Sequence, residues 1–296
     1  MITVDLMGGL GNQLFQIFTT IAYALQHKHK FIFTHDEILK VGVERPTYWS
    51  NFLARLVIFT TVNKSHGLSN DFSKSLPRLK EQYFRYHELQ AIDSTNAFAL
   101  HGYFQSYKYF QAMQDKIYKM IQLRDQQTAV YNEYSLLLEK NNMRDTIISM
   151  HFRLGDYKMK QQYHPILHPN YYELALKTII EKGLYLNYKV LYFCEEEDNI
   201  YVEQVIAKIQ NSLHDYPISF MKVDDGIADW KQMLIMSCCD NNIIANSSYS
   251  WWGAYLNDNS TKIVCYPNIW FGNGIPHDGN NAVDDMFPSS WTKIKA

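Results

Sequence analysis

The sequence has no long run of basic residues. Its 28 Lys and Arg residues are balanced by 30 Asp and Glu residues, which gives a formal net charge of −2, and the basic cluster KHK at 28–30 is short. Proteins that bind nucleic acid through its phosphate backbone need clustered positive charge. We therefore expect no nucleic-acid partner.

Cysteine is scarce as well. The four cysteines, at 194, 238, 239 and 265, form no C-x-x-C motif. This pattern predicts small buried hydrophobic residues in a reducing compartment, not a disulfide framework or a zinc site. The sequence also has no D-x-D motif and no cluster of histidines and carboxylates at metal-ligand spacing. We expect no metal site.

Long apolar segments are also missing. The longest apolar stretch, FLARLVIFTTV, contains Arg55 and is shorter than the roughly 20 residues that a membrane-spanning helix needs. The first residues, MITVDLMGG, lack the basic start and apolar run of a signal peptide. We expect a cytoplasmic protein without a transmembrane segment.

The sequence does contain an alternation of short apolar runs and helical patterns. The strand pattern MITVDL is followed by the glycine-rich MGGLGNQ, by a helix pattern in LFQIFTTIAYALQHK and by a second strand pattern, FIFT. This order predicts a β-α-β opening. Residues 36–95 show no regular pattern, AFALHGYF predicts another strand, and residues 106–141 predict one or two helices.

A second alternation begins at residue 146. The strand patterns TIISMHF, KVLYFC, PISFMKV, NNIIAN and KIVCYP alternate with helix patterns, of which the first has Pro169 near its start and Gly183 after its end. Two β/α series of about equal length predict the α/β class, with two Rossmann-like domains facing each other across a cleft. We place the domains at 1–145 and 146–296. Whether the C-terminal tail packs back on the first domain stays open.

The first candidate site is the segment GGLGNQ between a strand and a helix. Gly9 and Gly11 let the backbone approach a ligand, and the helix N-terminus favours an anion. Asn12 and Gln13 add amides that can hydrogen-bond a polar ligand. A dinucleotide fingerprint would have a third glycine where Leu14 stands, so a nicotinamide site has weak support. A tight turn without a ligand is the structural alternative.

The second candidate site is HFRLGDY. His151 and Arg153 point to the same side of their predicted strand, towards its carboxyl end, where parallel strands deliver ligand-binding residues. The planar fork of Arg153 suits phosphate oxygens, and Asp156 can orient Arg153, His151 or a substrate hydroxyl. The alternative is an ion pair between Arg153 and Asp156 with a purely structural role.

The third candidate site is NSSYSWWGAYL, which follows a strand and opens a helix. One of its polar residues is expected to be the N-cap, but four exceed what a cap needs: Asn246, Ser247, Ser248 and Ser250. Hydroxyls and free backbone N–H groups together predict a pyrophosphate cradle that needs no metal. Trp251 and Trp252 are expected to pack the helix on the sheet.

The fourth candidate site is the acidic run CEEED at 194–198. Glu195 stands at a predicted strand tip, where it can accept hydrogen bonds from a base or a ribose. For Glu197 and Asp198 we favour a solvated first turn of a helix, since acidic residues suit a helix N-terminus. Glu195 and Glu196 stay open between the two interpretations.

Five segments, in this order, resemble the inverting α-1,2-fucosyltransferases of glycosyltransferase family 11. The resemblance runs from residue 1 to about 267 and rests on MGGLGNQLFQ, GYFQSYKYF (102–110), HFRLGDY, HPNYYELAL (168–176) and NSSYSWWGAYL. It implies a GT-B architecture in which the C-terminal domain binds GDP-fucose and the N-terminal domain mainly binds the acceptor. One departure is Cys194-Glu195-Glu196, where the family often has a Ser-Asp-Asp run.

The resemblance implies transfer of L-fucose from GDP-β-L-fucose to a sugar hydroxyl, usually O2 of a galactose, with inversion and without a cofactor or a required metal. In this interpretation Arg153 holds the donor's pyrophosphate, and Asn12 reaches the reacting centre. Arg153, the NSSYS helix start and His151 would then meet the charge that develops on GDP.

Three points stay open at this stage. The base that polarises the acceptor hydroxyl is not identified: Asp156, His35, Asp36 and His101 are candidates, Asp156 could instead only orient Arg153, and a highly dissociative transition state would need no strong base. A lipid-linked acceptor would bring peripheral membrane association. The alternatives to a transferase are a non-catalytic nucleotide- or glycan-binding protein on the same fold and, with less support, a nicotinamide-dependent enzyme.

Overall fold

The computed structural model describes residues 1–40, 42–183 and 185–296, which form two compact units. The first unit contains Met1–Gln126 and His277–Pro288, and the second contains Gln127–Pro276 and Ser289–Ala296. Each unit has its own parallel β-sheet, and helices alternate with strands. The predicted α/β class is confirmed.

The first unit is built on three parallel strands in the order β1-β5-β4, beside a two-stranded antiparallel pair, β2 and β3. The helix α1 is buried along most of its length against this sheet, and its apolar side chains repeat at helical spacing. The bounds are β1 Ile2–Val4, α1 Leu10–His27, β2 Ile38–Leu39, β3 Arg45–Pro46, β4 Arg78–Lys80, β5 Phe98–His101 and α2 Gln114–Ile121.

The predicted strand FIFT is wrong in detail. Its segment makes only two isolated parallel bridges, Ile2 with Phe31 and Phe33 with Thr60. The rings of Phe31 and Phe33 instead pack on Phe59 and Trp49, with centroids 4.8 and 5.5 Å apart. Scattered backbone hydrogen bonds hold this segment as well, since Ile32 donates to the Ile2 carbonyl at 3.1 Å and Phe33 donates to the Phe59 carbonyl at 2.9 Å.

The predicted helical region 106–141 contains three helices: α2, α3 Leu123–Glu133 and α4 Ser135–Leu138. Gln122 separates α2 from α3, because its left-handed backbone (φ 52°) ends α2 with the C-cap geometry common at helix ends. Nothing in the local sequence, such as a glycine, signals this break.

The second unit has six parallel strands in the order β8-β7-β6-β9-β10-β11. All seven residues of β6 are buried, as expected for the central strand of a sheet covered on both faces. The bounds are β6 Asp145–His151, α5 Pro169–Lys182, β7 Asn187–Phe193, α6 Asn199–Ser212, β8 Ile218–Lys222, α7 Asp229–Ser237, β9 Asn241–Ile243, α8 Ser248–Tyr255, β10 Val264–Pro267 and β11 Thr292–Ile294.

The bounds of α5 confirm that Pro169 stands at the start of a helix and that Gly183 follows its end. Pro169 is the first residue of α5, and Nδ1 of His168 accepts a hydrogen bond from the Asn170 N–H at 3.2 Å. Gly183 follows the last residue and donates its N–H to the Ile179 carbonyl at 2.9 Å. Proline suits the first helical position because its missing N–H would have no partner there.

The two compact units divide at 126/127, whereas the sequence-based domain boundary lies at 145/146. Side-chain contacts explain the difference. Gln127 donates to the Ser237 hydroxyl at 2.9 Å and to the Leu256 carbonyl at 3.0 Å, and Lys231 pairs with Glu133 at 2.6 Å. These contacts attach the segment before β6 to the second unit.

The C-terminal region is shared between the units, since 277–288 belongs to the first and 289–296 to the second. In the first unit, Ser106 donates its hydroxyl to the Asp285 carbonyl, and Lys108 pairs with the Asp285 carboxylate. In the second unit, β11 lies at the edge of the sheet beside β10.

The cysteines and the helices agree with the compositional expectations. The four cysteines, all within the described ranges, are free thiols, and Cys194, Cys239 and Cys265 are buried. Across residues 1–40, 42–183 and 185–296, no helix combines the length and the apolar character needed to cross a bilayer.

We predict that Gly253→Ala destabilises the second unit. A Cβ at this position in α8 would lie 2.8 Å from Cβ of Met236, on the facing helix α7. The steric overlap outweighs the roughly 1 kcal/mol that alanine gains over glycine in a helix. We expect a net loss of about 1–2 kcal/mol in the free energy of unfolding, measured by urea denaturation.

The matched control is Gly279→Ala, where an added Cβ meets no atom within 4 Å. It should change stability by less than about 0.5 kcal/mol. Equal stabilities of the two variants would contradict close packing of α7 on α8.

Candidate active site

The strand order of the second unit determines where a ligand can bind. Chain connections run from β6 outward to β7 and β8 on one side, and through β9 to β10 and β11 on the other. The point between β6 and β9 is therefore the topological switch point, where open α/β sheets bind their ligands beyond the carboxyl ends of the strands. HFRLGDY follows β6 and NSSYS follows β9, so both candidate motifs lie at this edge. The Tyr157 hydroxyl joins them by donating to the Asn246 carbonyl at 3.2 Å.

Arg153 is the cation at this edge. One terminal nitrogen of its guanidinium donates to Glu195 and the other to Asp156, and its Cζ lies 5.0 Å from the centre of the Tyr157 ring. Its side chain is 20% exposed. The structure thus contains the predicted Arg–Asp pair and adds Glu195 from the tip of β7. A fork held by two carboxylates is fixed in the geometry that also binds phosphate oxygens.

Gly155 permits the sharp turn after Arg153. Its φ is +34°, and a Cβ there would overlap the carboxylate of Glu195. Its N–H donates to Asp198 at 2.9 Å. A side chain at residue 155 would therefore displace Glu195 from Arg153.

Asp198 corrects one sequence-based expectation. It is 1% exposed, accepts the Gly155 N–H and pairs with Lys158, so it braces the turn and is not part of a solvated helix start. Glu197, at 64% side-chain exposure, is solvated as expected.

Three carboxylates in this region, Glu195, Glu197 and Asp198, offer oxygens within 4.8 Å of one another. Such a group has the chemistry of a cation site. Here the positive charge is supplied by the protein, because Arg153 pairs with Glu195 and Lys158 lies 3.7 Å from Glu197 and also pairs with Asp198. The expectation of no metal site stays a prediction.

His151 is buried beside Arg153. Burial, assisted by the positive charge of Arg153, lowers the pKa of His151 to about 3. Its ring centroid lies 5.3 Å from that of Tyr249, and its Nδ1 has no hydrogen-bond partner among the residues that the structure describes. The imidazole is therefore neutral at physiological pH. It can hydrogen-bond a ligand, and its expected part in meeting the charge that develops on GDP stays a prediction.

The polar residues before α8 have separate roles. Ser247 is the N-cap and accepts the Tyr249 N–H at 3.3 Å. Ser250 accepts the Ala245 N–H at 3.2 Å and is 1% exposed, so its hydroxyl closes the turn, and its place in the pyrophosphate cradle stays a prediction. Ser248 is half-buried at the first position of α8.

Asn246 is the buried amide of this turn. Its Nδ2 donates to the carbonyls of Pro165 and Trp270 at 2.9 and 3.3 Å, whereas its buried Oδ1 has no hydrogen-bond partner within the described ranges. An unsatisfied buried acceptor costs free energy unless a ligand or water pairs with it. Trp251 and Trp252 are fully buried, which confirms their predicted packing role.

The glycine-rich turn before α1 is stabilised by side chains of α1 itself. Gly8 has φ +78°, and a Cβ there would lie 2.5 Å from the Asn12 amide nitrogen. Gln13 is fully buried and donates to the carbonyls of Gly8 and Pro46, both at 2.9 Å. Gln13 thus holds the turn in place, and its contact with the donor stays a prediction.

Asn12 and Gly9 are less enclosed than Gln13. The Asn12 Oδ1 accepts a hydrogen bond from Gln105 at 2.7 Å. A Cβ on Gly9, the N-cap residue of α1, would meet open space, and Gly11 is buried within the first turn of α1. The half-buried Asn12 is therefore the polar side chain of this segment that lies nearest to solvent.

Sequence reasoning missed three charged residues in the first unit. Asp5 follows β1, Arg78 begins β4 and Glu81 follows β4. Asp5 pairs with Arg78 at 3.1 Å and contacts Nδ1 of His101 at 2.8 Å. The alternation of β1 could have drawn attention to Asp5, but Arg78 and Glu81 lie in the region without a readable pattern.

Glu81 has an unusual environment. It accepts the N–H groups of Tyr103 and Phe104 at 2.7 and 2.9 Å. Burial nonetheless raises the pKa of its carboxyl to about 7, against the opposing effect of these hydrogen bonds.

Comparisons with known proteins agree with this arrangement of motifs. The family model described as glycosyl transferase family 11 matches residues 1–294. The chain is 27% identical to the O-antigen biosynthesis glycosyltransferase WbnK of Escherichia coli, over 98% of this chain and 99% of that protein. It is 25% identical to an alpha-1,2-colitosyltransferase of Escherichia coli, over 66% of this chain and 61% of that protein. It is 22% identical to a galactoside 2-alpha-L-fucosyltransferase of Caenorhabditis elegans, over 99% of this chain and 79% of that protein.

Two solved structures show weaker likeness. The fucosyltransferase NodZ from Bradyrhizobium matches with a TM-score of 0.42 at 12% identity, covering 86% of this chain and 92% of that one. A glycosyl transferase of family 9 from Veillonella parvula matches with a TM-score of 0.44 at 8% identity, covering 100% of this chain and 85% of that one.

We predict that His151 contributes to acid sensitivity. Its folded-state pKa of about 3 lies below the ordinary value of 6.5, so between these two pH values the unfolded chain binds a proton that the folded chain does not. Above pH 6.5 the ring is neutral in both states and the free energy of unfolding keeps its full value. As the pH is lowered from 6.5 towards 3, the free energy of unfolding decreases. In His151→Gln, the loss of unfolding free energy between pH 7 and pH 4 should be smaller by about 3 kcal/mol.

The control for this experiment is His214→Gln, because the side chain of His214 is 74% exposed. Urea denaturation at both pH values should show wild-type acid sensitivity for the control. Unchanged acid sensitivity in His151→Gln would show that the ring is protonated in the folded protein.

Proposed function

The chain belongs to glycosyl transferase family 11 and is a glycosyltransferase, and on that premise we propose that it transfers L-fucose from GDP-β-L-fucose to O2 of a galactose in a glycan acceptor. The transfer inverts the anomeric centre and needs neither a metal nor a cofactor. The names of two relatives, an alpha-1,2-colitosyltransferase and a galactoside 2-alpha-L-fucosyltransferase, support an α-1,2 transfer of this kind.

The observation that carries the donor assignment is Arg153 at the switch point of the six-stranded sheet. When the bond between fucose and phosphate breaks, negative charge grows on the β-phosphate of GDP. Fixed donors aimed at that charge stabilise the transition state because they need not reorganise during the reaction. The guanidinium of Arg153 and the N-terminus of α8 are two such donors at one sheet edge.

The carboxylates that now hold Arg153 are compatible with this role. The side chains of Glu195 and Asp156 are 47% and 34% exposed, so a diphosphate can exchange with one of them while the other keeps the guanidinium oriented. The neutral His151 next to Arg153 supplies a hydrogen bond without adding a second charge. Asn246, with its unpaired buried oxygen, can accept a hydrogen bond from the nucleotide.

The first unit is proposed to bind the acceptor. The resemblance places Asn12 at the reacting centre, and its hydrogen bond with Gln105 fixes the orientation of its amide. Most of the aromatic segment 103–110 is structural, since Phe104, Tyr109 and Phe110 are buried. Tyr103, which is 41% exposed, is the member of this segment that is best placed to contact a sugar ring.

The rival hypotheses have less support. A nicotinamide enzyme would need an acidic residue to receive the ribose, and the Asp36 carboxylate already accepts a hydrogen bond from Asn70 at 3.0 Å. A non-catalytic binding protein would bind GDP in the same way but would leave GDP-fucose intact.

Incubation with GDP-fucose and a panel of galactosides tests the proposal. We expect release of GDP and formation of an α-1,2 linkage, with the same rate in EDTA. GDP, but not NAD, should raise the melting temperature, because a ligand stabilises the state that binds it. Stabilisation by NAD alone would favour the nicotinamide enzyme, and stabilisation by GDP without transfer to any acceptor would favour the binding protein. Loss of activity in EDTA would contradict metal independence.

We predict that Arg153→Lys lowers kcat by about 10²–10³ without unfolding the protein. A lysine provides one compact charge and cannot make the two parallel hydrogen bonds of a guanidinium. The matched control is Arg144→Lys in the same unit, since Arg144 is exposed. Steady-state kinetics give kcat for both variants, and melting curves show whether each variant is folded. A folded Arg153→Lys variant with near-normal turnover would contradict the assignment of Arg153.

A further inference from the structure

Ionisable residues gather at the carboxyl edge of the three-stranded sheet. Asp5 directly follows β1, Glu81 directly follows β4, and His101 is the last residue of β5. These three strands are parallel, so their carboxyl ends lie at one edge. The turn at Gly8, which precedes α1 and Asn12, leaves the sheet at the same edge. This edge therefore combines a histidine, two carboxylates and the segment that the proposed function assigns to the reacting centre.

Asp5 is fixed at this edge by Arg78. Nε of Arg78 donates to Oδ2 of Asp5 at 3.2 Å, and a terminal nitrogen donates to Oδ1 at 3.1 Å. The other terminal nitrogen of Arg78 donates to the carbonyls of Ser73 and Leu76, at 2.7 and 2.6 Å. A bidentate pair with a guanidinium prevents rotation of the carboxylate.

Asp5 in turn sets the tautomer of His101. The Nδ1 atom of His101 lies 2.8 Å from Oδ2 of Asp5. A carboxylate oxygen accepts hydrogen bonds, so Nδ1 is the donor in this contact and Nε2 is the ring nitrogen left to meet a ligand. The His101 side chain is 43% exposed, and its Nε2 has no hydrogen bond in the part of the chain that the structure describes. An imidazole oriented by a carboxylate, with its second nitrogen accessible, has the arrangement of a general base.

The other candidate bases are less suited to this role. Both oxygens of Asp156 are engaged by cations, Arg153 and Lys160. Glu81 uses both oxygens to accept backbone N–H groups. The backbone of His35 makes hydrogen bonds to Thr61 and Asn70, whereas its ring makes none within the described residues. No neighbour in that part of the chain therefore orients the imidazole.

We propose that His101, held by Asp5 and Arg78, is the base that accepts the proton of the acceptor hydroxyl. This inference rests on the proposed fucosyl transfer. The acceptor oxygen forms a bond to C1 of fucose while the bond from C1 to the β-phosphate oxygen breaks, and its electron pair leaves with GDP. The hydroxyl proton passes to Nε2 of His101, which becomes an imidazolium stabilised by the Asp5 carboxylate. Release of this proton to water restores the base.

The test compares His101→Gln and Asp5→Asn with the wild type and with the exposed control His214→Gln. We expect His101→Gln to lower kcat for transfer by about 10²–10⁴, the range for loss of a general base. GDP should still raise its melting temperature as in the wild type, because the donor residues lie in the other unit. His214→Gln should keep the wild-type kcat.

Asp5 is a positioning residue, so its effect should depend on His101. Asp5→Asn should lower kcat, and the double variant should be no slower than His101→Gln alone, since residues that act as one unit are not additive. A second measurement does not depend on the folding of Asp5→Asn. Imidazole added to the His101→Ala variant should restore part of its activity. A purely structural histidine would give additive losses and no rescue.

The outcomes separate this inference from the proposed function. A wild type that transfers fucose, together with a His101→Gln variant within about threefold of its kcat, would overturn the role of His101 and leave the proposed function intact. A wild type that neither binds GDP nor transfers fucose would overturn both.

Discussion

The pairing of Arg153 with two carboxylates is the interaction on which the second unit's functional edge depends. Glu195 comes from the tip of β7 and Asp156 from the turn after β6, so the guanidinium joins neighbouring parallel strands. The turn can hold Asp156 there only because residue 155 is a glycine with a positive φ and a backbone N–H bonded to the buried Asp198. Together these contacts hold the arginine at the edge where the proposed diphosphate would bind.

Electrostatics divides the roles of the residues at this edge. Positive charge comes from Arg153, whereas His151 is kept neutral by burial and by its charged neighbour. Two cations cannot share a poorly solvated space without cost, so a neutral hydrogen-bonding imidazole is the stable partner of an arginine here. Within the acidic run, Glu195 pairs with Arg153 and Asp198 pairs with Lys158. The edge therefore presents a guanidinium held by carboxylates, and in the proposed function a diphosphate takes the place of one of them.

The first unit uses the same type of contact for a different purpose. Arg78 holds Asp5 by two hydrogen bonds, and Asp5 holds His101. In the second unit an arginine is presented at the edge by carboxylates, whereas here a carboxylate is fixed by an arginine and orients a histidine. Both arrangements lie at the carboxyl ends of parallel strands, where the backbone leaves the sheet and side chains of separate strands converge.

The sequence by itself determined the elements of the second unit, the α/β class and the family. The strands β6, β7 and β10 lie in apolar runs, the helices show periodic patterns and the family motifs are contiguous, so none of these needs a distant partner to be recognised. It also identified Arg153, Asp156 and Asn12, which stand in compact motifs. Only the tertiary structure decided that Gln13 and Ser250 are internal braces, that His151 is neutral, that Asp198 is buried and that Asp5, Arg78 and His101 form one group. These properties depend on burial and on contacts between residues as far apart as Asp5 and His101, and a local pattern cannot encode which distant atoms will surround a side chain.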